Sequence, residues 1–366
     1  MKKNEIYKIY GKNYMEMTME LLREAELEQR IPDKEVCIGI KPNLVAPTPA
    51  EYGATTHPQV VEGLIRYLQE RGYHNLLMAE GSWVGDRTSE AYEFCGYRAL
   101  SEKYGVPFVD TQKDGSHEVD CQGMTLRVCD VVDRIDFMIN VPVLKGHCQT
   151  HITCALKNMK GLIPNSEKRK FHTMGLHKPI AHLTQAIRQD FILVDHICGD
   201  LDFEEGGNPV TRDCLMAAVD PVLLDSYVCR MLHYDVEEVP YIRMAEQLGA
   251  GSTELSPANI RELNPNPLDG ELPMQRRILK VAYAVDEVDS CSACYGNLVP
   301  ALCRLEEEGL LKDFQGKIAI GQGHRQQTGE IGVGRCTGQY RISIPGCPPE
   351  EETIYRELKA YLTKED

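Results

Sequence analysis

Residues 34–44 read KEVCIGIKPNL, residues 56–72 read THPQVVEGLIRYLQERG, and residues 74–82 read HNLLMAEGS. The first is a short apolar run that closes on Pro42 and Asn43, the pattern of a buried strand entering a loop. The second has the punctuation of a helix: Thr56 or His57 as cap, Pro58 in the first turn, Val60, Val61, Leu64, Ile65 and Leu68 on one face, and Gly72 as the stop. The third is again an apolar run of strand length. Strand, helix, strand in this order signals a parallel sheet, because parallel neighbours need a crossover long enough to hold a helix.

The alternation continues outward. VPFVD (106–110), RIDFMINVPVLK (134–145) and DFILVDHICG (190–199) read as strands, and VDPVLLDSYVCRML (219–232) as a helix capped by Asp220 with Pro221 in its first turn. The expected class is α/β, with a large, mainly parallel-sheet domain over about residues 1–270. Ligands of open parallel sheets lie beyond the carboxyl ends of the strands, which singles out the loops after Lys41, Ala79, Val143 and Val194. Residues 251–275 are rich in Pro, Asn, Gly and Ser and read as a connection with one short strand at most. A smaller α/β module is expected over 271–366, with RRILKVAYAV and GKIAIGQG as strands, and YGNLVPALCRLEEEGLL and EEETIYRELKAYL as helices.

At 366 residues the chain is long enough for one large or two medium domains with a substantial core. No stretch approaches the ~20 uninterrupted apolar residues of a membrane span. The N-terminal MKKNEIYKIYGKNYMEMTME lacks the apolar run of a secretory signal, so a cytoplasmic location is expected. A net charge of −15 argues against nucleic acid and anionic membranes as partners.

Fourteen cysteines in a reducing compartment are not a disulfide framework. Cys37, Cys95, Cys198, Cys214 and Cys229 sit among apolar residues, where a thiol behaves as a small hydrophobe. The last module differs. Cys291 and Cys294 form C-x-x-C at a strand-to-helix junction, where the helix dipole favours thiolates. Cys336 (GVGRCTG) and Cys347 (IPGCPP) lie in Gly- or Pro-bounded turns whose free N–H groups can donate to sulfur, whereas Cys303 falls inside a helical pattern and is expected in the core. Four convergent thiolates suit zinc or an iron–sulfur cluster. One C-x-x-C knuckle followed by two dispersed cysteines leans to a 4Fe–4S cluster, with zinc and a redox dithiol as alternatives.

Charge reverses locally between residues 145 and 178. Lys145, Lys157, Lys160, Lys168, Arg169, Lys170 and Lys178 face one acid, Glu167, a net of +6. Such an island in an acidic chain focuses a positive potential suited to a small anion. Lys168 to Lys170 read as a solvated loop tip. Lys145, His147 and Lys157 flank a strand end and a helix start and are the candidate catalytic residues; Lys41, Asn43, Asn158 and Asp195 are candidate substrate contacts. His147 suits a proton donor or anion contact, and with His151 four residues on it could share a helix face as a metal pair. The acidic stretch DHICGDLDFEEGG (195–207) holds enough carboxylates for a divalent cation, and reads equally as a polar turn.

IKPNL, THPQVVEGL, VPVLKGHCQTHITCALKNMKGLIP, LVDHICGD and AVDPVLLDSYV together resemble the family catalogued as domain of unknown function 362, over about residues 35–250. Lys-x-His followed by Ala-Leu-Lys-Asn-x-x-Gly is the most specific part. Members of that family often occur with iron–sulfur modules, and many carry a C-x-x-C-x-x-C run, which this chain lacks. The same stretch bears a looser likeness to the lactate racemase family, whose fold binds a small hydroxy acid between two α/β lobes. The combined expectation is an iron–sulfur protein, a redox enzyme or electron-transfer partner acting on a small anionic substrate, with a redox partner protein. The alternatives are a non-redox lyase or epimerase of a small carboxylate, with the cluster as Lewis acid or brace, and a zinc- or dithiol-containing binding protein.

Overall fold

The computed structural model describes residues 1–256, 259–268, 270–274 and 277–363. The chain divides into two units, Met1–Lys168 with His177–Met274, and Arg169–Leu176 with Gln275–Asp366. That an eight-residue piece of the basic island groups with the C-terminal unit was not legible in the sequence.

The strands of the first unit are β1 (Ile6–Tyr10), β2 (Ile38–Pro42), β3 (Leu76–Glu80), β4 (Phe108–Asp110), the hairpin β5 (Ser116–Asp120) and β6 (Thr125–Cys129), β7 (Phe137–Val141), the hairpin β8 (Lys145–His147) and β9 (His151–Thr153), β10 (Phe191–Asp200), β11 (Pro209–Ala218) and β12 (Ile260–Glu262). Eight of them form one sheet in the order β12-β1-β11-β10-β7-β2-β3-β4. From β10 to β4 every pairing is parallel, as the strand–helix–strand reading requires. The correction lies at the other end, where β11 runs antiparallel between β10 and β1.

The helices Tyr14–Glu24 and Pro58–Glu70 cover one face of this sheet. Leu21, Leu22, Val60, Val61, Leu64 and Leu68 meet Ile38, Ile40, Met78 and Ile139 in one core. Each such side chain, fully withdrawn from water, contributes roughly 1.5–3 kcal/mol. The helix Pro221–Met231 begins as read, with the Asp220 carboxylate accepting from the N–H groups of Val222 and Leu223 at 2.9 and 3.0 Å.

The second unit holds a four-stranded parallel sheet in the order β13-β14-β15-β16 (Val285–Glu287, Ile318–Ile320, Ile331–Val333, Ile342–Ile344). The helices Ser292–Glu307 and Glu351–Leu362 pack on each other. The described residues of RRILKVAYAV, 277–285, are not one strand. Arg277–Val281 is helical, Ala282–Ala284 a tight turn, and only Val285 opens β13. The reason is the facing of its apolar residues: Val281 is buried whereas Leu279 is exposed, which a continuous buried strand does not allow. Arg276, and Pro257, Ala258, Asp269 and Gln275 of the expected connection, lie outside the described residues. Among the described residues no helix is long and apolar enough to cross a membrane.

Candidate functional site

Strands β2 and β7 are neighbours, yet the chain leaves them toward opposite edges, β2 to β3 and β4, and β7 to β10. An open α/β sheet presents its crevice at such a switch point. Lys41, Asn43, Lys145, His147, Lys157 and Asn158 meet there, all buried. Lys41 forms an ion pair with Glu80 at the end of β3, and its Nζ donates to the Pro42 carbonyl at 2.8 Å and to Asn158 Oδ1 at 3.1 Å. Asn43 Nδ2 donates to the same Oδ1 at 2.8 Å, and Asn158 Nδ2 donates to Asn140 Oδ1 at 2.7 Å. Lys145 Nζ donates to Asn43 Oδ1 at 3.2 Å and to the carbonyls of Ala54 and Glu204 at 2.6 and 2.8 Å. Lys157 pairs with the Glu204 carboxylate, whose second oxygen lies 3.0 Å from His147 Nε2.

Charge states follow from these contacts. His147 Nδ1 accepts from the N–H groups of Gln149 and Thr150 at 3.0 and 3.1 Å, so the ring proton sits on Nε2 and is donated to Glu204. Burial, and then Lys157, hold this imidazole at about 4 and therefore neutral at physiological pH. Burial opposes ionisation of Glu204, but Lys157 and His147 outweigh it and keep the carboxyl well below its usual range. Burial pushes Lys145 down to about 7, so its ammonium can lose a proton near neutrality. Lys41 and Glu80 are driven by burial in opposite directions, the lysine down and the carboxyl up.

Local sequence explains the placement. His147 and His151 are cross-strand partners in the β8–β9 hairpin, not neighbours on a helix, which removes the helical metal pair. The next turn, Ala155–Asn158, is capped from outside: Asp225, on the helix Pro221–Met231, accepts from the N–H groups of Ala155 and Leu156 at 2.8 and 3.1 Å. That cap aims Lys157 and Asn158. At Gly161 a side chain would collide with the Glu80 carboxylate and the Lys41 ammonium, so only glycine allows this approach.

Asp195 does not point its bonds at the lysine centre. Its carboxylate accepts from His57 N and Nδ1 at 2.7 and 2.8 Å and from Ile197 N at 3.1 Å. Burial alone would lower His57, but Asp195 raises it to about 10, giving a buried imidazolium–carboxylate pair at the start of the helix Pro58–Glu70. Lys168 is no loop tip: it is buried, and its Nζ donates to the carbonyls of Gly81 and Ser82 at 2.8 Å each. Asp200 organises the acidic stretch as a turn, accepting from the N–H groups of Asp202, Phe203 and Asn208. That turn delivers Glu204. Glu80 and Glu204, which pair with Lys41 and Lys157, and Asn140, Asp225 and His57 were all missed. Glu80 alone had a signal, an acid closing an apolar strand.

In the second unit the cysteines follow the ends of three of the four strands. Cys291 caps the helix Ser292–Glu307 just after β13 and Cys294 lies in its first turn; Cys336 follows β15, and Cys347 follows β16. Because the sheet is parallel, all these ends lie at one edge, and the four thiols line one cavity with Gln322, Arg325 and Arg169. Gly334 has φ +90, which an L side chain rarely adopts, and it places the Cys336 turn beside Cys294. Burial, and then the neighbouring Cys291, Cys347 and Cys336, push the Cys294 thiol far up, a cost that a cation among the sulfurs would relieve. The N–H groups of Gly334 and Arg335 are committed to the carbonyls of Ile344 and Gly346. The Gln322 amide donates to Cys291 Sγ at 3.9 Å, and the Arg325 guanidinium lines the same cavity, where Cys336 raises its pKa. Cys303 is buried in its helix. Among the described residues no three His, Cys, Asp or Glu side chains are grouped as ligands of a single ion.

The first unit is therefore an open, mainly parallel α/β sheet with a buried charged centre at its switch point, and the second a small parallel sheet with thiols along its carboxyl edge. The chain belongs to the family described as Domain of unknown function (DUF362), whose model matches residues 38–230. A thylakoid-associated protein of Synechocystis is 26% identical over 226 residues, covering 58% of this chain and 68% of the relative. The lactate racemase apoprotein of Thermoanaerobacterium thermosaccharolyticum aligns at TM-score 0.42 and 12% identity, covering 63% of this chain and 58% of its own. A Thermotoga maritima protein aligns at TM-score 0.39 and 13% identity, covering 66% of this chain and 60% of its own.

Proposed function

We propose that the protein is an iron–sulfur protein in which Cys291, Cys294, Cys336 and Cys347 hold a 4Fe–4S cluster, acting as a redox enzyme or electron-transfer partner on a small anionic substrate. The observation that carries this reading is the convergence of four thiols, from one helix start and two separate strand ends, on a single cavity. Four thiolates are the ligand set of such clusters, and of zinc sites. The Gln322 amide at Cys291 and the Arg325 guanidinium lining the cavity are groups of the kind that tune a cluster's potential. When bound, the cluster supplies one-electron transfer. The anionic substrate draws support from the lysine centre, which already holds one carboxylate, that of Glu204, between Lys157 and His147. A second reading, a non-redox lyase or epimerase, draws on the exposure of Cys347, a position from which a ligand is easily displaced to open an iron.

Anaerobic purification with iron, sulfide and zinc analysis tests the first reading. The expected product is brown, with about four iron and four sulfide per chain. Serine at Cys291, Cys294 or Cys336 should bleach it, and serine at Cys303 should not. Retention of colour and iron in Cys347→Ser, with a change in reactivity, would move the assignment to the second reading. Colourless protein with stoichiometric zinc would end the iron reading. Reversible cycling of metal-free protein at roughly −120 to −270 mV would favour a dithiol. For the substrate, Lys157→Ala should weaken binding of small carboxylates by about ten- to a hundredfold, the worth of a charge-assisted hydrogen bond.

A further inference from the structure

Strands β1, β11 and β10 have two faces. Tyr7, Ile9, Leu215, Ala217 and Leu193 enter the main core. The alternate residues of β1 and β11 face the other way, as a period of two demands, and they include Lys8, Tyr10 and Arg212. Register places Tyr10 and His196 on either side of Cys214, so these polar groups form a continuous row across three strands. They line a cavity of about 310 Å³, completed by Tyr227 and Arg230 from the helix Pro221–Met231. That volume falls at the lower end of small-ligand sites. The cavity shares no lining residue with the lysine centre.

Its polar groups are only partly used within the chain. His196 is 2% exposed, and its Nδ1 has no hydrogen-bond partner among the described residues. Arg212 Nε is in the same position, while its Nη2 donates to the Glu271 carbonyl at 2.6 Å. Lys8 is already matched by Glu262 and the Tyr227 hydroxyl, each at 3.2 Å. Neither Arg212 nor Arg230 is paired with a carboxylate among the described residues. The acid on the wall, Glu271, has a side chain 88% exposed.

We propose that this cavity binds a small organic anion, its carboxylate or phosphate group held by Arg212 and Arg230 with a hydrogen bond from His196, and its body against the rings of Tyr10 and Tyr227. Buried polar groups need partners, and two guanidinium groups beside a buried imidazole form a fork for a planar or tetrahedral anion. Two strands, carrying His196 and Arg212, and a helix, carrying Arg230, hold these groups more rigidly than loops would.

Calorimetric titration of the full chain with inorganic phosphate and with benzoate, alongside nitrogen NMR of the His196 ring, tests it. At least one probe should saturate, and the His196 signals should move with occupancy. Arg212→Gln should weaken that binding by about ten- to a hundredfold. Arg230→Ala changes an exposed residue, preserves the fold, and should weaken binding by about tenfold. Tyr227→Leu should weaken benzoate more than phosphate. Failure of both probes to saturate, binding that leaves His196 unmoved, or a folded Arg230→Ala variant with parental affinity would overturn the proposal.

Discussion

Replacing Glu204 by glutamine tests whether the lysine centre is held by charge. The Glu204 carboxylate pairs with Lys157 and accepts from His147 Nε2, and the two paired side chains are 12% and 3% exposed. Glutamine keeps the shape and leaves the Lys157 ammonium buried without its counter-ion. Removing one member of a buried pair costs about 3–5 kcal/mol, because the remaining charge has lost its hydration and gains nothing in return. The residual exposure of Glu204 admits water, which favours the lower end, about 3 kcal/mol. Lys157→Met leaves the carboxylate buried, but the His147 N–H remains as a donor, so its cost is about 2–3 kcal/mol. The double variant removes both charges and should be less destabilised than the sum by about 2 kcal/mol. The assay is urea unfolding followed by fluorescence of Trp83, the single tryptophan, which belongs to the first unit and reports it alone. Additivity of the two substitutions within about 0.5 kcal/mol would refute the reasoning. So would single costs below about 1 kcal/mol, the value of a solvated surface pair.

Further outcomes are expected of the same unit. Because Asp195 raises His57 from 6.5 to about 10, its stabilisation is complete below the lower value and lost as pH rises through the upper. The stability of the parent minus that of His57→Gln should therefore fall across this window, by up to about 1.4 kcal/mol per pH unit in urea titrations. Lys168 has the opposite sign. Burial lowers it from 10.5 to about 8, so the parent minus Lys168→Met should rise with pH between those values. Asp225→Ala strips the cap from Ala155 and Leu156 and should cost about 1–3 kcal/mol, with faster exchange of those two amides by NMR.

The parts of the fold legible in the sequence are those set by near neighbours along the chain. Pro58 and Pro221 open helices where they were read to, and the apolar runs at β2, β3, β7 and β10 are strands. β11 escaped notice because PVTRDCLMAA serves two faces: Leu215 and Ala217 go to the core, whereas Arg212 and Cys214 line a cavity, and the mixture hides a strand's alternation. Lys168 was misread because a run of three cations is solvated in most contexts; here the carbonyls of Gly81 and Ser82 accept from it inside the fold. The free turn N–H groups expected to face the sulfurs are partly committed to the extension of β15 beside β16, a pairing that no spacing of cysteines reveals.

The order of residues sets the local grammar of this protein: strand and helix, cap and stop, the cysteine-bearing turns, and a motif specific enough to mark its family. Periodicity and capping depend on residues within a few positions of one another, so they can be read without the fold. Which charges meet depends on the fold. Lys157 finds Glu204 across 47 residues, and Lys41 finds Glu80 only because parallel pairing sets β2 beside β3. Ion pairing and desolvation act through space, at distances set by strand order. Of the basic island, Lys145, Lys157 and Lys168 are therefore buried in the folded protein, where Lys157 meets an acid and Lys145 and Lys168 meet carbonyls that the linear pattern never placed beside them.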